Sequence, residues 1–205
     1  KGTPEEFYDL YRTASKHLKE RFPDIKIGGP AICGYNLPWL RPFFAMIRDE
    51  GLPFDFYSWH RYARNVGDIV GDIRLHRALL DEYGFTNTES ILDEWNYVRS
   101  FCGEEWAYSL RNIIGMKGAA FTAVMAASQD EPVDMLMYYD ARLSSGMNCI
   151  FEGQTCTTRK GYHAVKTWGE MALLGDECET VCDVPDIWSA TAVKDGKSIT
   201  MITYY

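Results

Sequence analysis

Residues 53–95 read PFDFYSWHRYARNVGDIVGDIRLHRALLDEYGFTNTESILDEW, and they hold one complete strand–helix–strand unit. Pro53–Trp59 is a short apolar and aromatic run behind a proline, which predicts a strand. From Asp68 to Tyr83, Ile69, Ile73, Leu79 and Leu80 recur at helical spacing, and Gly84 stops the run. Ser90–Trp95 is the next strand. Short strands alternating with helices imply a parallel sheet, since parallel neighbours need a crossover long enough to hold a helix.

The pattern extends in both directions. Thr3-Pro4-Glu5-Glu6 is a capping box with proline at the first helical position, and Phe7, Leu10, Tyr11, Ala14, Leu18 and Phe22 form a stripe behind it. Pro23-Asp24 ends that helix, and Ile25–Ile27 begins a strand running into Gly28-Gly29-Pro30-Ala31. Pro38–Arg48 predicts a helix with Leu40, Phe43, Phe44 and Ile47 inward and Gly51 as its stop. Tyr108–Ser128 predicts one long apolar helix, Val133–Tyr139 a fourth strand and Lys160–Leu174 a last helix. Successive units of about 29, 36 and 43 residues bracket or exceed the roughly 31 of an eightfold barrel, longer units carrying loop insertions. The rival doubly wound sheet lacks its glycine-rich phosphate turn here. The fold class is α/β, and the period favours a (β/α)8 TIM barrel, of which this chain supplies four strands, over the doubly wound sheet.

After Gly175 the pattern changes. Trp188–Val193, a Lys194-Asp195-Gly196-Lys197 turn and Ser198–Tyr205 alternate like a β-hairpin. Residues 1–175 are expected to form the half-barrel, and residues 176–205 the beginning of an incomplete accessory β-domain.

Composition narrows the function classes. The chain of 205 residues is 46% apolar and 14% aromatic, with 6 Trp and 13 Tyr, and carries a net charge of −8. That charge argues against a nucleic-acid partner. No lysine-bearing glycine loop supports a nucleotide, and no apolar run is long enough to span a membrane. Flat aromatic side chains suit both a large core and the C–H faces of sugars. Cys178 and Cys182 lack a second Cys/His pair, so no metal and no cofactor is expected. Cys149 and Cys156 could close a loop disulfide or remain free thiols. KGTPEEF is not a signal peptide, and the absence of a sequon leaves the compartment open. A start without Met, already inside a helix signal, reads as a segment of something longer.

The chemistry gathers at strand ends: Trp59-His60-Arg61-Tyr62, Asp93-Glu94-Trp95-Asn96 and Tyr138-Tyr139-Asp140. In a barrel these ends face one cleft. Alternation puts Leu92 and Glu94 on one face and Asp93 and Trp95 on the other. With Leu92 filling the interior, Glu94 stands at the mouth and Asp93 points to the helix layer. Retaining glycoside hydrolysis uses two carboxyl groups about 5 to 5.5 Å apart, one of them a nucleophile held ionised by nearby donors. His60 and Tyr62, two apart on the preceding strand, can supply such donors.

The order KIGGPA, DFYSWHRY, ILDEWN, MLMYYDAR and KGYHAVKTWGEM resembles the second half of clan A glycoside hydrolases, most of all family 39, the β-xylosidase and α-L-iduronidase group. The resemblance covers about residues 1–175 and implies that the four strands are strands 5–8. It implies Glu94 as nucleophile, His60 and Tyr62 as substrate contacts, Trp95 and Asn96 shaping the site floor and Tyr139 as an aromatic platform. It places the acid/base glutamate upstream of the first helix. Asp130-Glu131-Pro132 lies before the fourth strand and reads as a turn. The implied partner is a carbohydrate derived from plant or other polysaccharides. The alternative is a non-catalytic, carbohydrate-binding or structural half-barrel. Four strands cannot close an eightfold barrel, so the open edges are expected to favour self-association, and the chain alone to be inactive.

Overall fold

The computed structural model describes residues 2–205. Helix α1 (Pro4–Arg21) opens on the expected box: Glu6 N donates to Thr3 Oγ1 at 3.2 Å and Thr3 N to Glu6 Oε2 at 2.7 Å. It is followed by β1 (Gly28–Cys33), α2 (Leu37–Glu50), β2 (Phe56–Ala63), α3 (Val66–Glu82) and β3 (Glu89–Tyr97). Three short helices then precede β4: α4 (Gly103–Ile113), α5 (Met116–Ala120) and α6 (Ala123–Ala127), with β4 at Met135–Tyr138. The chain ends with α7 (Lys160–Leu174), β5 (Asp176–Cys178), β6 (Ile187–Lys194) and β7 (Lys197–Tyr204).

The first four strands form a parallel sheet in the order β1-β2-β3-β4, an α/β half-barrel, and β5-β6-β7 form a separate antiparallel sheet. Sequence order equals spatial order, each strand lying beside the one before it in the chain. The single long helix expected over Tyr108–Ser128 is instead three. Gly115 starts α5, and a Cβ on Gly118 would stand 1.8 Å from Ile113 O, so the chain turns back on itself where only glycine fits. Strand β1 begins at Gly28 rather than Ile25. Lys19 Nζ takes Ile25 O at 2.8 Å, and Ile27 N donates to the Asp55 carboxylate at 2.8 Å.

Two compact units divide the chain. The first comprises residues up to Arg61, Gly71–Asp93 and Pro132–Met137. Its core is aromatic: Phe44 meets Tyr57 at 5.2 Å and Phe54 meets Phe85 at 5.0 Å, while Leu40, Phe43, Phe44 and Ile47 of α2 are buried as their spacing predicted. At the strand beginnings, Asp134 Oδ2 accepts from Ser90 N at 2.7 Å. Carboxylates there serve the fold.

The second unit comprises Tyr62–Val70, Glu94–Glu131 and Tyr138–Tyr205. Strands β2, β3 and β4 thus pass from one unit to the other near their C-terminal ends. Within the second unit, Met171 of α7 packs with Ala190 and Ala192 of β6, flanked by Trp168, Ile199 and Met201. The β6–β7 turn forms at Asp195 and Gly196, both at positive φ, the pattern of a two-residue hairpin. The antiparallel sheet begins at Asp176, next to the expected boundary, although the compact units are not divided there. Among the described residues no two cysteines form a disulfide.

Candidate active site

The face of β2 that meets α3 is set by two contacts in the first unit. Trp59 is fully buried and stacks on His76 at 4.0 Å, and Arg61 Nε lies 2.8 Å from Asp72 Oδ2. His60, between them, points the other way, with Nε2 at 3.2 Å from Asp93 Oδ1. This corrects the expectation that Asp93 faces the helix layer. Ser90 Oγ accepts from Trp59 Nε1 at 3.2 Å on the α3 side.

His76 itself is structural. It is fully enclosed, its Nδ1 is 2.8 Å from the Tyr57 hydroxyl, and burial, seconded by the Arg61 charge, pushes its pKa down to about 3. It therefore remains neutral at ordinary pH.

In the second unit, the Tyr62 hydroxyl donates to Glu94 Oε2. Both residues are half-buried, so the carboxylate is held yet open to a ligand. Tyr62 is perpendicular to two further rings, Phe101 at 5.1 Å and Tyr139 at 6.4 Å. Tyr139 is fixed from its polar end: Arg142 Nη2 donates to its hydroxyl at 2.7 Å, and the same guanidinium pairs with Asp140 at 2.6 Å. The peptide between Tyr139 and Asp140 is cis.

Trp95 and Asn96 lie beneath the surface. Each is 1% exposed. Trp95 packs on Phe121 at 6.0 Å and Tyr138 at 5.3 Å. Asn96 Nδ2 donates to Tyr138 Oη at 3.1 Å, to Met147 O at 2.9 Å and to Tyr139 O, while its Oδ1 accepts from Tyr97 N at 2.6 Å. Its amide ties the strand ends to the 140s loop. Glu131 precedes β4, on the turn expected for it.

Sequence reading did not single out Phe101 or Trp106. Phe101 lies on the loop between β3 and α4, where no periodicity exists to mark it. A groove of about 500 Å³ lined by Met125, Trp168, Met171 and Ala190 belongs to the second unit, but none of the candidate residues lines it. Among the described residues, no group of three or more His, Cys, Asp or Glu is arranged to hold a metal, and no helix is long and apolar enough to cross a membrane.

Four parallel strands with their crossover helices form half of an eightfold β/α barrel. The chain belongs to glycosyl hydrolases family 39, whose sequence profile matches residues 1–133. It is 34% identical over 58 residues to a β-xylosidase of Geobacillus stearothermophilus, a stretch covering 28% of this chain and 12% of that protein. Its fold is similar to a glucosidase from Croceicoccus marinus, with TM-score 0.76 and 23% identity over 95% of this chain and 42% of that one. A family 39 enzyme from Xanthomonas axonopodis pv. citri gives TM-score 0.71 and 18% identity over 97% and 42%. The chain thus spans about two-fifths of the length of these structures.

Proposed function

We propose that this chain carries the nucleophile half of a retaining, β-xylosidase-like glycoside hydrolase, with Glu94 as the nucleophile. The observation that carries this reading is the Tyr62 hydroxyl on Glu94 Oε2, at the end of a barrel strand and beside the rings of Tyr139 and Phe101. In the proposed reaction Glu94 attacks the anomeric carbon and forms a glycosyl ester, as the glycosidic bond breaks and the leaving oxygen takes a proton from the upstream acid/base carboxyl. Water, deprotonated by that same group, then cleaves the ester and restores Glu94, so the anomer is retained. Tyr62 orients Oε2, and His60, held against Asp93, offers a donor to a sugar hydroxyl. The substrate is a glycan with a xylose-like glycon. The outer strands β1 and β4 account for self-association if the 205-residue segment is produced alone.

The test is Glu94→Ala in the full-length protein, assayed on an aryl β-xyloside with and without azide. The expected result is a loss of several orders of magnitude, with azide restoring turnover and giving a glycosyl azide of inverted anomer. Near-normal turnover without azide would remove Glu94 from the mechanism.

A further inference from the structure

We infer that Phe101, backed by Trp106, is a stacking platform for the sugar ring on the leaving-group side of the cleaved bond, a deepening that rests on the glycosidase reading. A solitary exposed aromatic is ordinary. Phe101 differs because its surroundings are built. It is 53% exposed, yet its ring stands edge-on to Tyr62 at 5.1 Å and lies 5.3 Å from Trp106 at an interplanar angle of 34°. Tyr62 is the residue that donates to Glu94. The exposed ring is therefore one side chain removed from the proposed reacting carboxylate.

The loop that carries it is tied down. Arg99 N donates to Ser109 Oγ at 3.0 Å, and that buried hydroxyl donates to Glu105 O at 2.8 Å. The Arg99 side chain pairs with Glu105 at 2.8 Å and lies over the Tyr108 ring at 4.4 Å. Cys102 N closes on Ser100 Oγ at 3.2 Å. A platform held in place before binding loses little freedom when it binds.

Two features choose the ligand and the side. Phe101 has no polar tip, so what it recognises is the apolar C–H face of a pyranose, not its hydroxyls. Among Tyr62, Trp106, Tyr139 and Phe101 it is the exposed member, the others being half-buried. The glycon must reach the half-buried Glu94, so the outermost ring meets the part of the substrate that extends toward solvent, the leaving sugar.

The experiment compares methyl β-D-xyloside with xylobiose in the full-length wild type, Phe101→Ala and Phe101→Tyr. The expected outcome is a loss of about tenfold in kcat/KM on xylobiose for F101A, the scale of one aromatic contact, with methyl xyloside within about twofold and F101Y close to wild type. Equal losses on both substrates, or none on either, would overturn the platform. Calorimetric binding of xylobiose to Glu94→Gln, with and without F101A, gives a readout that needs no turnover. About tenfold weaker binding with F101A supports the platform even if the wild type proves not to hydrolyse xylosides, a result that would sink the glycosidase reading alone. Unchanged binding overturns the platform.

Discussion

The hydroxyl of Tyr62, near the end of β2, donates to Oε2 of Glu94, near the end of β3, so one hydrogen bond joins the candidate nucleophile to the neighbouring strand. A hydrogen bond to a charged group contributes roughly 1.5–3 kcal/mol. Tyr62→Phe keeps the ring against Phe101 and Tyr139 and removes only the donor. In the full-length protein it should lower kcat by about 10- to 100-fold, far less than loss of Glu94. Steady-state kinetics on an aryl xyloside checks this, and an unchanged kcat would show that the bond does not serve the reaction.

His60, whose Nε2 is 3.2 Å from Asp93 Oδ1, is expected to bind substrate and not to transfer the proton. His60→Ala should therefore lower kcat/KM with a rise in KM, while the pH–rate profile keeps both limbs. Disappearance of the alkaline limb would instead make His60 the proton donor.

Asn96 is expected to act through stability. Asn96→Ala leaves the part-buried carbonyl of Tyr139 without its donor, at a cost of about 1–3 kcal/mol, and takes one of two donors from Met147 O, which keeps the Tyr138 hydroxyl at 3.0 Å. Urea denaturation should show a lower midpoint with an unchanged slope. A variant as stable as wild type, but with raised KM, would return Asn96 to the substrate.

Buried His76 makes a signed pH prediction. Its folded pKa, about 3, lies below the roughly 6.5 of an unfolded histidine, so between these values the unfolded chain binds the extra proton. The stability it contributes is complete above pH of about 6.5 and is lost as the pH falls toward about 3, by up to about 1.4 kcal/mol per pH unit. The stability difference between wild type and His76→Gln should shrink over that window. A difference constant from pH 7 to 4 would show that His76 takes up its proton as readily in the fold as in the unfolded chain.

The sequence by itself determined what depends on near neighbours along the chain. Helical spacing fixed the buried face of α2 and the bounds of α7, Asp195-Gly196 fixed the hairpin, and the strand signal around Ser90–Trp95 put Glu94 near a strand end. Only the tertiary structure decided which distant groups meet. Asp93 turned to His60, thirty-three positions away. Asn96 reads like a sugar ligand in sequence, but carbonyls some forty to fifty residues later claim its amide. The long apolar run over Tyr108–Ser128 keeps helical periodicity, but the fold breaks it at Gly115, which caps α5, and Gly118, where backbone approaches backbone too closely for a side chain. Periodicity records which face is apolar. Which partner a polar group finds depends on packing between residues far apart in the chain.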